Sequence, residues 1–232
     1  MWKAILSPDF FSTILRSATP ILFATLASAI AAKSGICNMA LEGIMLFSAL
    51  FGVIFSSLTN SAWLGLLITM VIGGLIGMIL AFFILNLKTD EILAAIAINL
   101  TATGGTVLIM VAFSGDRGVS SSIRSVSAPT VTLPLIEKIP FIGSVLSGQN
   151  ILTWLAILAV ILLHLFLYKT PLGLAIRAVG ENKNAAESVG ISSRKIKYIA
   201  LIISGVLASM GGFYLSGGYM NMFTKDMSGG RG

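Results

Sequence analysis

The distribution of apolar residues along the chain is the feature that most restricts its fold. Six stretches are long and apolar enough to cross a bilayer, whose hydrocarbon core of roughly 30 Å requires about 20 helical residues. They are residues 11–32, 39–57, 62–87, 92–113, 151–168 and 196–216. Because a backbone in lipid must satisfy its own hydrogen bonds, each stretch is expected to be helical. The sequence therefore predicts a single all-α integral membrane domain, residues 1–232, with about six transmembrane helices.

Composition excludes several other classes of protein. Only 10% of the 232 residues are charged and 56% are hydrophobic, whereas a soluble domain carries about a quarter charged residues. The sequence has no phosphate-binding loop or His-Glu-x-x-His pair, and Cys37 is its sole cysteine, so we expect no metal, no cofactor and no catalytic residues. The net charge of +6 comes from cations between apolar segments, which indicates membrane orientation and no nucleic-acid partner. The N-terminal residues also lack the pattern of a cleaved signal peptide.

Lysine and arginine predict which side of the membrane each connection faces. Six of the fifteen cations lie between residues 169 and 197, in or beside one connection: Lys169, Arg177, Lys183, Arg194, Lys195 and Lys197. The positive-inside rule makes segment 169–195 a cytoplasmic loop, and alternation of the spans places the turns at Lys33 and Lys88 on the same side. Segment 114–150 is then an external loop and the N-terminus is also outside. A re-entrant segment around residues 34–41 would instead place the N-terminus on the cytoplasmic side.

Small residues recur at the spacing that lets membrane helices approach closely. Gly73 and Gly77 form one such pair, and Ser204, Ala208 and Gly212 form a second row. We expect both to be helix contacts without a role in substrate choice.

The passage RAVGENKNAAESVGISSRKIK, residues 177–197, is the longest charged stretch. Gly180 and Gly190 bracket good helix formers at 184–189, and Gly190 followed by Ile191 has the form of a helix C-cap. Ser192 can then cap the next helix. A short helix lying across the cytoplasmic face would suit docking onto another protein. The alternative is a solvated connector whose charges only set topology.

This passage resembles the coupling helix of ABC importer permeases, which sits in a cleft of the ATPase subunit. Ala185, Ala186 and Gly190 match the Glu-Ala-Ala-x-x-x-Gly motif, although Asn184 stands in place of its Glu and the Ile-x-Leu-Pro that often follows is missing. The passages TPLGLAIRAVGENKNAAESVGIS and SGICNMALEGIMLFSAL are similar to permeases for ribose, branched-chain amino acids and nucleosides. The second carries an Asn-x-x-x-Glu-Gly signature closest to nucleoside importers of the basic-membrane-protein type. The resemblance runs from Ala18 to the end of the chain.

The resemblance implies a plasma-membrane permease subunit without enzymatic activity that forms the translocation path for nucleosides. Its expected partners are a cytoplasmic ABC ATPase, a second and non-identical permease subunit, an extracellular substrate-binding lipoprotein and the lipid bilayer. Six residues are implied in ATPase coupling: Arg177, Asn184, Ala185, Ala186, Glu187 and Gly190. Relatives continue into further spans after a sequence like MSGGRG, so we expect the chain to lack the family's C-terminal spans.

Other functions stay open at this point. Sugars or branched-chain amino acids are alternative cargoes. An ATPase-independent secondary transporter would usually need ionisable pairs near the membrane midplane, and the spans offer almost none beyond Glu42. A membrane enzyme would need a convergent set of acids, histidines or nucleophiles, which the sequence does not supply.

Four polar residues within the apolar stretches are candidates for the substrate path. Asn38 and Glu42 lie one helical turn apart, as do Asn99 and Thr103. The first pair could line the path or brace a broken helix, although an acid in the first turn of a helix is also favoured by the helix dipole. The second pair could instead form hydrogen bonds between helices.

Overall fold

The computed structural model describes residues 8–115, 118–120, 122–131 and 147–232, to which all structural statements below refer. Its helices are α1 (Pro8–Lys33), α2 (Leu41–Thr59), α3 (Ala62–Leu85), α4 (Glu91–Ser114), α5 (Ile151–Lys169), α6 (Pro171–Glu181), α7 (Lys183–Ser188) and α8 (Ser193–Phe213). Helix α8 continues into a π-helical turn, Tyr214–Tyr219. Two short antiparallel strands, β1 (Thr130–Val131) and β2 (Gln149–Asn150), pair ahead of α5.

The six predicted membrane spans are confirmed as α1 to α5 and α8 with its π-helical turn. Side chains fix several of the helix starts. The Asp90 carboxylate accepts the N–H groups of Ile92 and Leu93, and the Asn150 side chain accepts that of Leu152. Such caps satisfy backbone donors that a helix leaves free at its first turn, so α4 and α5 begin close to the predicted positions.

One end of the bundle gathers the positive charge, and we call it the basic face. Contacts join its parts: Gly180 of α6 packs against the Lys33 carbonyl, and Tyr198 of α8 donates to the Asn86 side chain at 2.9 Å. The basic face thus holds the end of α1, the α3–α4 turn, α6, α7 and the start of α8. Eight of the fifteen Lys and Arg residues belong to it: Lys33, Lys88, Lys169, Arg177, Lys183, Arg194, Lys195 and Lys197.

The other end, which we call the loop face, carries the α2–α3 turn and the described parts of the α4–α5 connection. Ser56 and Ser125 share a hydrogen bond of 2.9 Å there, and Val119 pairs with Thr224. The six spans therefore alternate in direction, with α1, α3 and α5 running toward the basic face. Segment 34–40 does not reverse this order, because it leads from the basic face into α2.

Segment 34–40 connects α1 to α2 and delays the second span by two residues relative to the prediction. The second span was expected to be helical from residue 39, whereas residues 36–40 are non-helical and α2 begins at Leu41. Its side chains alternate: Ser34, Ile36, Asn38 and Ala40 are buried, and the residues between them are exposed. The Asn38 amide lies beside Ser204, which is about 17 Å along α8 from Ser193 at 1.5 Å per residue. Helix α2 therefore begins deep inside the bundle.

Helices α2 and α8 form the centre of the bundle: 12 of the 19 residues of α2 and 11 of the 21 residues of α8 are buried. Small residues permit this packing, as predicted, but α8 uses two of its faces. Gly205 contacts the Gly73 backbone and Gly77 contacts the Leu201 carbonyl, so α3 and α8 touch backbone to backbone. The predicted row of Ser204, Ala208 and Gly212 faces α1 and α2, where Ser204 donates to the Ala27 carbonyl and Gly212 lies against Met45.

The positive-inside rule predicts that the basic face lies in the cytoplasm. Cys37 tests this directly, because it is the chain's sole cysteine, is exposed, and bonds through its N–H to Glu91, the first residue of α4 at the basic face. A membrane-impermeant maleimide should label Cys37 in inside-out vesicles and leave it unlabelled in intact cells.

The matched control is the double variant Cys37→Ser/Lys225→Cys, which moves the thiol to an exposed position beside Gly118 on the loop face. It should show the opposite labelling pattern. Labelling of Cys37 from outside intact cells would show that the orientation is wrong.

Candidate functional site

The first candidate site is the pair of short helices that projects from the basic face. The Thr170 hydroxyl caps α6 by accepting the Gly173 N–H at 3.1 Å, and Pro171 takes the first helical position. The Asn182 side chain caps α7 in the same way, accepting from Ala185 at 3.1 Å. Because caps hold both helix starts, α7 has a defined position relative to the spans.

The predicted C-cap at Gly190 is confirmed. Gly190 has a φ of 86°, and its N–H donates to the Glu187 carbonyl at 3.0 Å. The Ile191 N–H donates to the Ala186 carbonyl at 3.0 Å, which completes the two-bond Schellman arrangement. The expected cap by Ser192 is wrong in one respect: Ser192 precedes α8 directly, but its side chain forms no capping hydrogen bond.

Helix α7 has one buried residue and an exposed outer surface. Ala186 is only 3% exposed and packs in a cluster with Ile176, Val179 and Ala200. Asn184 and Ala185 are exposed, and Val189 just beyond the helix is 73% exposed. The residues implied in ATPase coupling therefore fall into two groups. Ala186 anchors α7 to the bundle, whereas its neighbours form the exposed surface of the helix.

Glu187 and Arg177 contact their own chain first. The Glu187 carboxylate accepts a hydrogen bond from the Ser193 hydroxyl, and Lys183 lies 4.0 Å from it. The Arg177 guanidinium lies 4.5 Å from the centre of the Tyr168 ring, and its Nε has no partner among the described residues. Glu187 thus links α7 to the start of α8, and Arg177 packs against the end of α5.

The second candidate site is the junction where α2 begins inside the bundle. Asn38 is buried there; its Nδ2 donates to the Ser204 hydroxyl at 2.8 Å, and its Oδ1 accepts the Ala40 N–H at 3.0 Å. Ser204 in turn donates to the Ala27 carbonyl at 2.7 Å. Asn38 therefore connects the non-helical segment to α8 and, through Ser204, to α1.

Asn99 holds the same junction from α4. Its Oδ1 accepts the Gly43 N–H at 2.8 Å and its Nδ2 donates to the Met39 carbonyl at 2.9 Å. Thr103, one turn further along, donates only to the Asn99 carbonyl of its own helix at 3.0 Å. The structure thus brings Asn99 into the junction and leaves Thr103 outside the hydrogen bonds that hold it.

Glu42 lies in the first turn of α2, where the helix dipole favours an acid. It also binds a glycine-rich loop. Its carboxylate accepts hydrogen bonds from the Ser228 hydroxyl and from the N–H groups of Gly230 and Gly232, the last two at 3.0 and 2.8 Å. Gly229 and Gly230 have positive φ angles, a backbone conformation that lets N–H groups of one loop point at the same anion. Sequence reasoning missed this loop as a partner, although its glycines were a signal for an unusual backbone.

Sequence reasoning also missed three residues of the basic-face site. Asn182 could have been found, since Asn three residues before Ala185 is a typical N-cap. Val189 and Ser193 had no comparable signal in the sequence. The exposure of Val189 and the hydrogen bond of Ser193 to Glu187 both depend on how α7 packs against α8.

Six alternating spans, a helix that begins inside the bundle and a short helix fixed on the basic face define a multi-pass membrane protein of the kind that transporters represent. The family model described as "Branched-chain amino acid transport system / permease component" matches residues 10–228, and the chain belongs to that family. The chain is accordingly a multi-pass protein of the plasma membrane, in a family of transport components.

Three relatives show where the chain lies within the family. It is 32% identical to a provisionally named glucose ABC transporter permease protein, TsgC13, of Haloferax volcanii over 94% of this chain and 65% of the relative. It is 30% identical to the nucleoside ABC transporter permease protein NupC of Lactococcus lactis (95% and 71%). It is 31% identical to the guanosine ABC transporter permease protein NupQ of Bacillus subtilis (93% and 69%). The chain thus spans about two-thirds of their lengths, and no solved structure matches it.

The hydrogen bonds at the junction predict that substitutions at Asn99 and Thr103 affect stability differently. Asn99→Leu removes a donor and an acceptor from two backbone groups within the bundle, and each such loss typically costs about 1–3 kcal/mol. We expect a clearly lower unfolding temperature for purified protein in detergent.

Thr103→Val is the matched control, because the Thr103 hydroxyl bonds only a carbonyl of its own helix. It should unfold close to wild type. Equal stability of the Asn99→Leu and wild-type proteins would contradict a bracing role for Asn99.

Proposed function

We propose that this protein is the permease subunit of an ABC importer for nucleosides, coupled to a separate ATPase through α7. The observation that carries the proposal is the form of α7 itself. It is a short helix, capped at both ends, with one alanine buried in the bundle and the next alanine exposed on the basic face.

The exposed surface of α7 suits insertion into a cleft. Ala185 has a small side chain that lets another protein approach the helix closely, and Val189 adds an exposed apolar contact. Asn184 and Gly190 lie on the same exposed surface, so we assign these positions to ATPase contact. Arg177 is assigned a supporting role, since it stacks on Tyr168.

The contacts of α7 also supply a route from the ATPase to the membrane interior. Glu187 binds Ser193 at the start of α8, and Ser204 further along α8 binds Asn38 at the start of α2. A displacement of α7 would therefore tilt α8 and disturb the junction. ATPase closure can drive such a change only by contacting the two states of the permease differently.

We propose Asn38, Glu42 and Asn99 as the residues that shape the path, acting by bracing its broken helix. Thr103 is proposed to face the path from the next turn of α4. All four positions lie on α4 or around the start of α2, so a change at the junction would alter the path directly.

We propose nucleosides as cargo because two of the three relatives carry nucleoside or guanosine in their names. The name of the Haloferax relative keeps sugars as an alternative, and the family description keeps branched-chain amino acids. The proposed partners are the ATPase, an external substrate-binding lipoprotein and a second, non-identical permease subunit. The permease itself would catalyse no reaction.

The runner-up function is a secondary transporter driven by an ion gradient. Glu42 is the best-placed ionisable group for it, but its carboxylate already accepts three hydrogen bonds from residues 228–232. A carrier of protons or sodium ions would need a group free to load and unload. This arrangement favours the ATPase-coupled function.

The test is co-purification of the natural full-length protein with its candidate ATPase. Ala185→Arg places a long cation on the exposed surface of α7, so the variant should lose the ATPase. The same change at Ala186 would be a poor test, because Ala186 is buried and its replacement would disrupt the permease itself.

Leu87→Arg is the control: it adds the same side chain at an exposed position in the α3–α4 turn of the basic face. This variant should retain the ATPase. If Ala185→Arg retains the ATPase as wild type does, or if wild type captures none, α7 is not the coupling helix.

A further inference from the structure

A cleft on the basic face, between the end of α3 and the first turns of α8, has no role in the proposed coupling. Its lining residues are Asn86, Arg194, Lys195, Tyr198 and Ile199. Arg194 donates to the Leu85 carbonyl at 3.2 Å, and the Tyr198 hydroxyl donates to the Asn86 Oδ1 at 2.9 Å. These two hydrogen bonds hold α3 and α8 together and fix the walls of the cleft.

The cleft is positively charged and contains no acid. Arg194 and Lys195 are both exposed, and no carboxylate lies among the lining residues. The acids of the neighbouring turn are engaged elsewhere, because Asp90 caps α4 and Glu91 accepts the Cys37 N–H at 2.8 Å. One N–H group of the Arg194 guanidinium donates to the Leu85 carbonyl, and its other N–H groups can bind an anion.

The position of these cations in α8 is unfavourable unless an anion is near. They occupy the first turn of the helix, where the helix dipole is positive, and that turn has no acidic residue. The carboxylate of Glu187 offsets part of this charge, but it bonds the Ser193 hydroxyl rather than either cation. An anion in the cleft would relieve the remaining repulsion.

The cleft lies at the depth of lipid headgroups. Arg194 is bonded to Leu85, the last residue of the α3 span, so its charge sits where the apolar helix ends. Leu75, Ile79 and Phe82 are exposed and share a helix face with Asn86, at a spacing of four, three and four residues. An apolar strip therefore leads from the bilayer core to the charged cleft.

We propose that this cleft binds the phosphate of an anionic phospholipid, whose acyl chains lie along Leu75, Ile79 and Phe82. Arg194 and Lys195 bind the phosphate, and Tyr198 packs at the interface beside the headgroup. Basic pockets between transmembrane helices on the cytoplasmic side are suited to such lipids. The inference rests on the cleft alone and stands whether or not the chain couples to an ATPase.

The test is native mass spectrometry of the delipidated full-length protein with added phosphatidylglycerol or phosphatidylcholine. Wild type should retain phosphatidylglycerol preferentially. Arg194→Gln/Lys195→Gln should bind it roughly 10- to 30-fold more weakly, as expected for two cations near a membrane surface, with phosphatidylcholine unchanged. Arg194→Lys/Lys195→Arg should keep most of the affinity, which separates lost charge from lost folding.

Lys183→Gln/Lys225→Gln removes the same charge outside the cleft and should bind phosphatidylglycerol as wild type does. Equal binding by the Arg194→Gln/Lys195→Gln variant, or an equal loss in this control, would overturn the proposal. Complete displacement of the lipid by millimolar inorganic phosphate would also overturn it, because the site would then select a free anion.

Discussion

The structure depends on how the bundle satisfies a stretch of non-helical backbone buried in the membrane. The last carbonyls of α1 accept the N–H groups of residues 34–36, but residues 37–39 lie outside any helical hydrogen-bond pattern, and lipid offers no replacements. Side chains supply them: Asn99 of α4 bonds the backbone at Met39 and Gly43, Glu91 of α4 accepts the Cys37 N–H, and Asn38 within the segment accepts the Ala40 N–H. Irregular backbone at membrane depth is typical of transporter sites, where a broken helix must be held by its neighbours.

The central position of α8 follows from the same constraint. To reach Asn38 with Ser204, α8 must lie against both α1 and the start of α2, and small residues make that approach possible. Gly205 gives α3 the same access from another side. Because α8 begins beside α7 and passes the junction, one helix connects the proposed docking surface to the proposed path. The two candidate sites are therefore joined by a single helix, α8, and a movement at one is expected to displace the other.

Sequence patterns predicted the helices well, since apolar length acts locally, and the caps at Asp90 and Asn150 begin α4 and α5 close to the predicted positions. Gly190 was predictable for the same reason. The gap between the first two spans was predicted, with a re-entrant segment or a broken helix among the alternatives. The start of α2 at Leu41 and the hydrogen bonds that hold it were not, because the partners Asn99 and Ser204 reach the segment only through the fold. The partners of Glu42 and Glu187 could not be predicted either, since residues 228–232 and Ser193 reach them only through the fold.

ATP dependence of transport tests the central claim most directly. The full-length permease would be reconstituted in proteoliposomes with its partner permease, ATPase and binding protein, and uptake of radiolabelled guanosine measured. The account predicts uptake that requires ATP and the ATPase and that falls to background with Ala185→Arg. Uptake by the permease alone, driven by a proton or sodium gradient without ATP, would contradict it.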